Sequence, residues 1–413
     1  MRKQKLVLVG NGMAGIRVIE ELLKLAPDLY EITVFGAEPH PGYNRILLSP
    51  VLSGEQELAD IFLNQPDWYA RNGIRLHLGK RVTRIDRRER VVSTDDGIEE
   101  SYDRLVLATG SLPFVLPIAG SDLPGVMTYR NIQDVQDMIG AATDRQHADA
   151  LVIGGGLLGL EAAAGLASRG MRVTVVHRAA WLMERQLDPA SGRLLQQSLA
   201  QRGIGFRMEA EVVALHAGAS GDRVARASLK DGSDLDAGLV VMTLGIRPDT
   251  RLAMSCGIHC ANGIVVNDTM QSFDPRVYAV GECVSHRGTA IGLVAPLFAQ
   301  AKVCANHLAQ SGIGRYTGLV AATKLKVTGV ALFSAGDFMG GDDCEEIVLN
   351  DTANRVYKKI VLKDDRVIGA CLFGDTADGP WYHELINDRQ DVSALRDYLM
   401  FGRECLQGAS LEA

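Results

Sequence analysis

The chain has 413 residues, 47% of them hydrophobic, and a formal net charge of −7 from 43 basic and 50 acidic side chains. That length exceeds what one hydrophobic core usually organises, so two or three globular domains are expected. A net acidic chain offers no general attraction to phosphate backbones or anionic lipid, which argues against nucleic acid or a membrane surface as partner.

The opening MRKQKLVLVG imitates a secretory signal, but its apolar run is short, breaks into glycines and lacks a small-residue cleavage site. It reads as a first β-strand, LVLVG at 6–10, followed by helical spacing from Met13 to Leu25 and a strand EITVFG at 31–36. Strand-rich segments follow, RLHLGKRVTRID and RVVSTDDG. The densest basic run, Arg84, Arg87, Arg88 and Arg90, is interleaved with Asp86 and Glu89 and reads as a solvated hairpin. DRLVLATGS then carries an apolar strand into a small-residue turn.

The βαβ order recurs as ALVIGG, a helix over about 157–169 and RVTVVH at 172–177. After it come FRMEAEVVAL, RASLKDG and LVVMTLGIRPD, in the same order as after the first unit. The chain therefore reads as an internal duplication, two nucleotide-binding α/β domains with the second inserted into the first. VYAVGEC at 277–283 and a helix from about Pro296 to Ser311 return to the first domain. From about 319 the pattern changes to the strands KLKVTGVALFSAG, RVYKKIVLK and RVIGACLFG with helical segments near 381–401, a third, α+β domain. The expected boundaries are 1–114 with 250–318, 115–249, and 319–413.

Gly10, Gly12 and Gly15, with Met13 and Ala14 between them, fit G-x-G-x-x-G between a strand and a helix. Glycines there permit a tight turn and close approach of backbone to a pyrophosphate at the helix N-terminus. Glu38, about twenty residues on, is a candidate for an adenosine ribose hydroxyl, or else an exposed loop acid. Gly154, Gly156 and Gly159, with Leu157 and Leu158, repeat the pattern. Here the following strand ends in His177 and Arg178 where an NAD site commonly has an acid. Arg178 either accommodates a 2′-phosphate or is an exposed arginine that leaves NADH acceptable. Glu161 lies in the first turn of the second helix, where the helix dipole stabilises a carboxylate and where the nicotinamide half of a dinucleotide would extend.

Two dinucleotides without an acid–base constellation point to electron transfer between cofactors, which supply the reacting atoms themselves. H-E-x-x-H, G-x-S-x-G and paired C-x-x-C motifs are missing from the sequence. Cys256 and Cys260, with His259 between them, lack further ligands for a metal. The seven cysteines are odd in number and scattered, and no apolar stretch approaches the roughly eighteen residues of a membrane span, so a cytoplasmic protein with reduced thiols is expected.

GNGMAG, ATG at 108–110, GGGLLG, TLGIRPD at 243–249 and VYAVGE resemble the two-dinucleotide FAD/NAD(P) oxidoreductase superfamily. PGYNRILLS, HRAAWLMERQLD and TKLKVTGVALFSAGD further resemble the FAD-containing amino-terminal part of NAD(P)H nitrite reductase large subunits, and the electron-transfer subunits of assimilatory nitrate reductases. Rubredoxin and ferredoxin reductases are more distantly similar. The resemblance spans nearly the whole chain.

It implies FAD and NAD(P)H as cofactors, with hydride transfer between them and no catalytic side chain. Gly10, Gly12, Ala14 and Gly15 would hold FAD pyrophosphate, Glu38 the adenosine ribose, and Asn44 and Arg45 the region near the flavin. Val82 would lie by adenine, while Ala108, Thr109 and Gly110 pass the FAD backbone. Glu282, after Gly281, stands where the family usually has an aspartate on the ribityl chain. Ala295 lies in the segment Leu293–Leu297 that faces the flavin, Gly245 belongs to the TLGIRPD motif, and Glu161 matches a glutamate beside the nicotinamide.

Disulfide reductases of the superfamily carry a C-x4-C pair and some relatives a single cysteine, whereas this chain has ILLSPVLSG, with Ser49. Electrons are therefore expected to leave the flavin directly for a separate acceptor, an iron–sulfur protein or a nitrate or nitrite reductase catalytic subunit. Cys405 alone cannot hold a cluster, so nitrite reduction by this chain itself is not expected. A rubredoxin or ferredoxin reductase is the alternative enzyme reading, and a flavin-bearing regulatory protein the alternative of another class. The third domain is expected to serve acceptor docking or a homodimer interface.

Overall fold

The computed structural model describes residues 3–144, 148–219, 221, 223–325 and 327–405. Lys326, inside the expected KLKVTGV strand, and 406–413 after the closing MFGREC lie outside the described residues. The chain divides into two compact units, the first made of 1–47, 57–112 and 246–319, the second of 48–56, 113–245 and 320–413.

In the first unit a five-stranded sheet runs in the order Val277–Ala279, Arg104–Leu107, Gln4–Val9, Tyr30–Phe35, Arg75–His77. Every neighbouring pair is parallel. The apolar runs LVLV, ITVF and LVL are buried on both faces, as all-parallel strands require. Helix Met13–Leu25 buries Ala14, Val18, Ile19 and Leu22, a stripe at helical spacing, against this sheet. Helix Val294–Leu308 packs beside it with Leu297, Ala301, Cys304 and Ala305 in the same core. The basic run forms the expected hairpin, Val82–Asp86 paired with Val91–Thr94 and Arg90 in the left-handed region at φ 58°. Arg84 pairs with Asp86, and Arg87 reaches Asp274 at 2.8 Å.

The second unit repeats the parallel sheet in the order Gly205–Met208, Arg172–His177, Asp149–Ile153, Leu239–Met242, Val126–Thr128. Helix Leu157–Ser168 buries Gly159, Leu160, Ala162, Ala163, Gly165 and Leu166. Gly165 admits the short helix Leu48–Ser53, since a Cβ there would lie 2.7 Å from Leu52 Cγ. An antiparallel sheet of Ala322–Thr323, Leu332–Gly336, Arg366–Phe373, Val356–Lys363 and Glu345–Asp351 completes the unit. Helix Gly379–Asp388 covers one of its faces with Trp381, Tyr382, Leu385 and Ile386. The expected helical stretch near 381–401 is broken after Asp388, where Arg389 turns left-handed at φ 50°, and resumes as a 3₁₀ helix over Ser393–Phe401. Among the described residues, no helix is long and apolar enough to cross a membrane.

Candidate functional site: two glycine turns

Each parallel sheet carries a glycine turn at the carboxyl end of its first βαβ strand. Gly10 adopts φ +110°, and a Cβ on it would overlap the Ala108 carbonyl of the adjacent strand end. Gly15 lets the helix seat close, since a Cβ there would sit 2.5 Å from the Gly10 carbonyl oxygen. Gly12 differs: its backbone is ordinary extended chain (φ −90°), it caps helix Met13–Leu25 without a side-chain bond, and a Cβ would meet nothing within 4 Å. No side chain caps the first N–H groups of this helix, an arrangement suited to an anion. Asn11 Nδ2 is buried there without a partner, while Oδ1 accepts from Tyr69 Oη at 3.0 Å. An orphaned donor beside uncapped helix amides fits a phosphate-bearing cofactor.

The other expected residues of this unit group around the same sheet ends. Ala108 follows Arg104–Leu107, its N–H donating to Val9, and Thr109 Oγ1 donates to the Asp249 carbonyl at 2.7 Å. Gly110 accepts from the Asp249 N–H, at φ +71°. Gly281 donates to Gln300 Oε1 at 3.0 Å, and Glu282 accepts from Ser111 Oγ at 2.9 Å. Glu38 is held by two donors, Tyr43 Oη at 2.7 Å and Arg45 Nη2 at 2.8 Å, and the Arg45 guanidinium also lies 5.3 Å from the Tyr43 ring centroid. The acid and the arginine, assigned to ribose and flavin respectively, form one cluster. Asn44 Oδ1 accepts from the Ile46 N–H and shapes the 3₁₀ turn that carries Arg45. Val82 is buried in the hairpin, and Ala295 is exposed in the first turn of helix Val294–Leu308, which has no side-chain cap.

The second turn repeats the design. Gly154 sits at φ +119°, and a Cβ would lie 2.6 Å from the Thr243 carbonyl oxygen. Gly159 packs its helix onto Gly154, and Gly156 is an extended, uncapped helix start with open space around a Cβ. Met13 and Leu157 open the two helices, with Leu158 following. Gly245, at φ +97°, accepts from the Phe114 N–H.

His177 is 6% exposed and engages both ring nitrogens: Nδ1 accepts from the Gly155 N–H at 3.1 Å, and Nε2 faces Glu184 Oε2 at 3.0 Å. An acceptor at Nδ1 places the proton on Nε2, so the ring donates to Glu184. Arg178 is exposed.

Glu161 accepts from Ser49 Oγ at 2.6 Å, and Ser49 Oγ is 3.0 Å from Tyr129 Oη. Ser49 has one proton to give, so the phenol of Tyr129 donates to Ser49 and Ser49 to the carboxylate. Burial pushes the Tyr129 phenol up, which keeps that proton in place. Helix Leu48–Ser53, which positions Ser49, is closed at its end by Arg169, whose guanidinium donates to the Val51 and Leu52 carbonyls.

Sequence reasoning passed over Asn11, Tyr129 and Glu184. Glu184 had one available signal, an acid seven residues past a strand that ends in histidine. Asn11 and Tyr129 act through burial, which leaves no pattern in sequence.

All seven cysteines are free. Burial raises the thiols of Cys256, Cys260, Cys283 and Cys304, and that of Cys371 to about 11. A raised thiol carries little thiolate near neutral pH and so is a poor nucleophile. Among the described residues no group of three or more His, Cys, Asp or Glu is placed to hold a metal.

Residues 4–307 match the pyridine nucleotide-disulphide oxidoreductase family, and 322–390 match the rubredoxin NAD+ reductase C-terminal domain. The chain is 50% identical over 393 residues to a nitrite reductase [NAD(P)H] of Bacillus subtilis, covering 95% of this chain and 48% of that protein. It is 46% identical over 400 residues to the assimilatory nitrate reductase electron transfer subunit of the same organism, covering 97% of this chain and 51% of that one. The chain thus spans about half the length of these curated relatives. Among solved structures, a chain of the covalent putidaredoxin reductase–putidaredoxin complex superposes with a TM-score of 0.86 at 28% identity, covering 95% of this chain and 94% of that one. The chain belongs to the pyridine nucleotide-disulphide oxidoreductase family, as an NAD(P)H oxidoreductase that works with FAD.

Proposed function

We propose that the chain is the electron-input part of a nitrate- or nitrite-assimilating system, taking electrons from NAD(P)H and handing them to a separate redox protein. The observation that carries this reading is the match, along nearly the whole chain, to about half of a nitrite reductase and half of a nitrate reductase electron transfer subunit. FAD and NAD(P)H, when bound, supply the redox chemistry and the change from two-electron to one-electron steps.

The chain's own residues bind and orient. The turn at Gly10, Gly12 and Gly15 takes the FAD pyrophosphate, with the Asn11 amide and the uncapped helix amides as donors. Glu38, steadied by Tyr43 and Arg45, takes the adenosine ribose, and Asn44 shapes the turn that presents Arg45. Val82 lines the adenine side. Ala108, Thr109 and Gly110 pass along the FAD backbone, Glu282 serves the ribityl chain, and the amides near Ala295 face the flavin. The turn at Gly154, Gly156 and Gly159 takes NAD(P)H. Glu161, oriented by Ser49 and Tyr129, stands at the nicotinamide end. Ser49 in place of a thiol supports direct delivery to the acceptor, and seven unpaired cysteines suit a reducing, cytoplasmic setting.

A rubredoxin- or ferredoxin-type reductase is the second reading, favoured by the match at 322–390 and by the putidaredoxin reductase likeness. The two part on acceptor choice. Steady-state turnover with a nitrate or nitrite reductase catalytic subunit should exceed turnover with rubredoxin or a [2Fe–2S] ferredoxin by an order of magnitude. The reverse order would support the second reading and sink the first.

A further inference from the structure

The strand Arg172–His177 ends without an acid, yet the fold brings one back to that end. Met183 donates its N–H to the Gly155 carbonyl at 2.9 Å, and Gly155 donates its own N–H to His177 Nδ1. The segment after the strand is thereby pinned to the glycine turn from both sides of one residue. Leu182 and Met183 are fully buried beneath it, and Met183 accepts the left-handed conformation, φ 55°, needed to turn the chain back. Such a conformation costs a non-glycine residue and persists where its surroundings hold it. The result is that Glu184, 29% exposed, rests with Oε2 on His177 Nε2, next to the turn.

We infer that Glu184, positioned by His177, is the residue that selects NADH over NADPH. In a βαβ nucleotide fold the adenosine ribose is read at the end of the second strand, by an acid that accepts from the 2′-hydroxyl. Glu184 supplies that acid from seven residues beyond the strand, and His177 serves as its bracket. Oε2 is occupied by the imidazole, and Oε1 has no hydrogen-bond partner among the described residues. Arg178 is the competing candidate, as a clamp for a 2′-phosphate. It is exposed and makes no hydrogen bond or ion pair among the described residues, so ordering it would cost the rotamer freedom of a long side chain. Glu184 is already ordered. A carboxylate and a phosphate of about two charges, roughly 5 Å apart in a water-like dielectric, repel enough to weaken binding about tenfold.

The inference rests on the second turn being the NAD(P)H site. Its test is equilibrium binding of NAD+ and NADP+ to the FAD-loaded full chain by isothermal titration, with ADP and 2′,5′-ADP as fragments on the unaltered protein. NAD+ should bind at least about tenfold more tightly than NADP+, and ADP more tightly than 2′,5′-ADP. Glu184→Gln should narrow the NAD+/NADP+ ratio to about threefold or less with an unchanged thermal midpoint, whereas Arg178→Ala should leave the ratio within about twofold. An unaltered ratio in Glu184→Gln, equal or reversed fragment affinities, or NADP+ preference lost in Arg178→Ala would each overturn the assignment. Failure of the unaltered protein to bind either dinucleotide would instead remove the second turn as the site, and the inference with it.

Discussion

Alanine at Gly156 separates ligand binding from folding in the second turn. Gly156 has φ −85°, open to any residue, and a Cβ there would meet nothing within 4 Å. The fold should therefore tolerate Gly156→Ala, or gain about 0.4–1 kcal/mol from a less flexible unfolded chain. A pyrophosphate against the helix N-terminus would meet that methyl directly. Displacing it from two backbone N–H groups, at about 1.5–3 kcal/mol for each hydrogen bond to a charged group, costs about 3 kcal/mol or more. That corresponds to roughly a hundredfold weaker binding. Isothermal titration with NAD+, alongside thermal unfolding and the FAD absorbance, reads all three quantities in one preparation. NAD+ affinity should fall about a hundredfold while the thermal midpoint and flavin content hold. Binding within about threefold of the parent protein, with the fold intact, would refute the placement of a dinucleotide on this turn.

Gly12→Ala should show the mirror-image behaviour, a stable chain that fails to retain FAD, because Gly12 has the same open, extended geometry; the flavin-to-protein absorbance ratio after gel filtration checks it. Ser49→Ala removes a 2.6 Å hydrogen bond to the Glu161 carboxylate and strands the buried Tyr129 phenol. It should lower stability by about 1–3 kcal/mol and slow flavin reduction by NADH more than it weakens NAD+ binding, as seen by denaturant unfolding and anaerobic stopped flow. Asp188 caps helix Pro189–Ala200 at Ser191 N and accepts from Tyr357 Oη at 2.5 Å. Asp188→Ala should cost about 3 kcal/mol, one cap plus one buried charged hydrogen bond, read by the same unfolding assay. Asp268 is held down to about 2 by hydrogen bonds from Arg287 and His286. A carboxyl lowered on folding stabilises above its unfolded pKa near 3.9 and loses that contribution as pH falls through about 2. Stability measured between pH 5 and 2 should thus decline less steeply in Asp268→Asn than in the parent protein.

The two βαβ units were legible because their physics is local. Apolar runs ending in glycines, followed by helical spacing, identify Gln4–Val9 with Met13–Leu25 and Asp149–Ile153 with Leu157–Ser168 to within two residues or so at each end. Other helices carried start signals that pattern reading passed over. Asn131 and Asp134 form a capping box for Ile132–Thr143, and Asp188-Pro189 is an N-cap with proline at the first helical position. Strand Glu345–Asp351 alternates between partly and fully exposed positions at a sheet edge, with little apolar signal. The side-chain constellations depend on tertiary return instead. The acid seven residues past His177 is visible in sequence, but nothing there foretells that Met183 turns left-handed and brings Glu184 onto the imidazole. Equally, nothing near Glu161 points to Ser49, 112 residues earlier, as its donor. The family resemblance supplied the role proposed for Glu161 at the nicotinamide, and the structure supplied what holds its carboxylate.

Anaerobic titration of the FAD-loaded chain with NADH, followed by addition of an oxidised acceptor protein, tests the central claim most directly. NADH should bleach the flavin absorbance within the first turnovers, and an oxidised nitrate or nitrite reductase catalytic subunit should restore it without any cysteine becoming oxidised. Absorbance that neither NADH nor NADPH bleaches, or restoration that thiol alkylation abolishes, would contradict it.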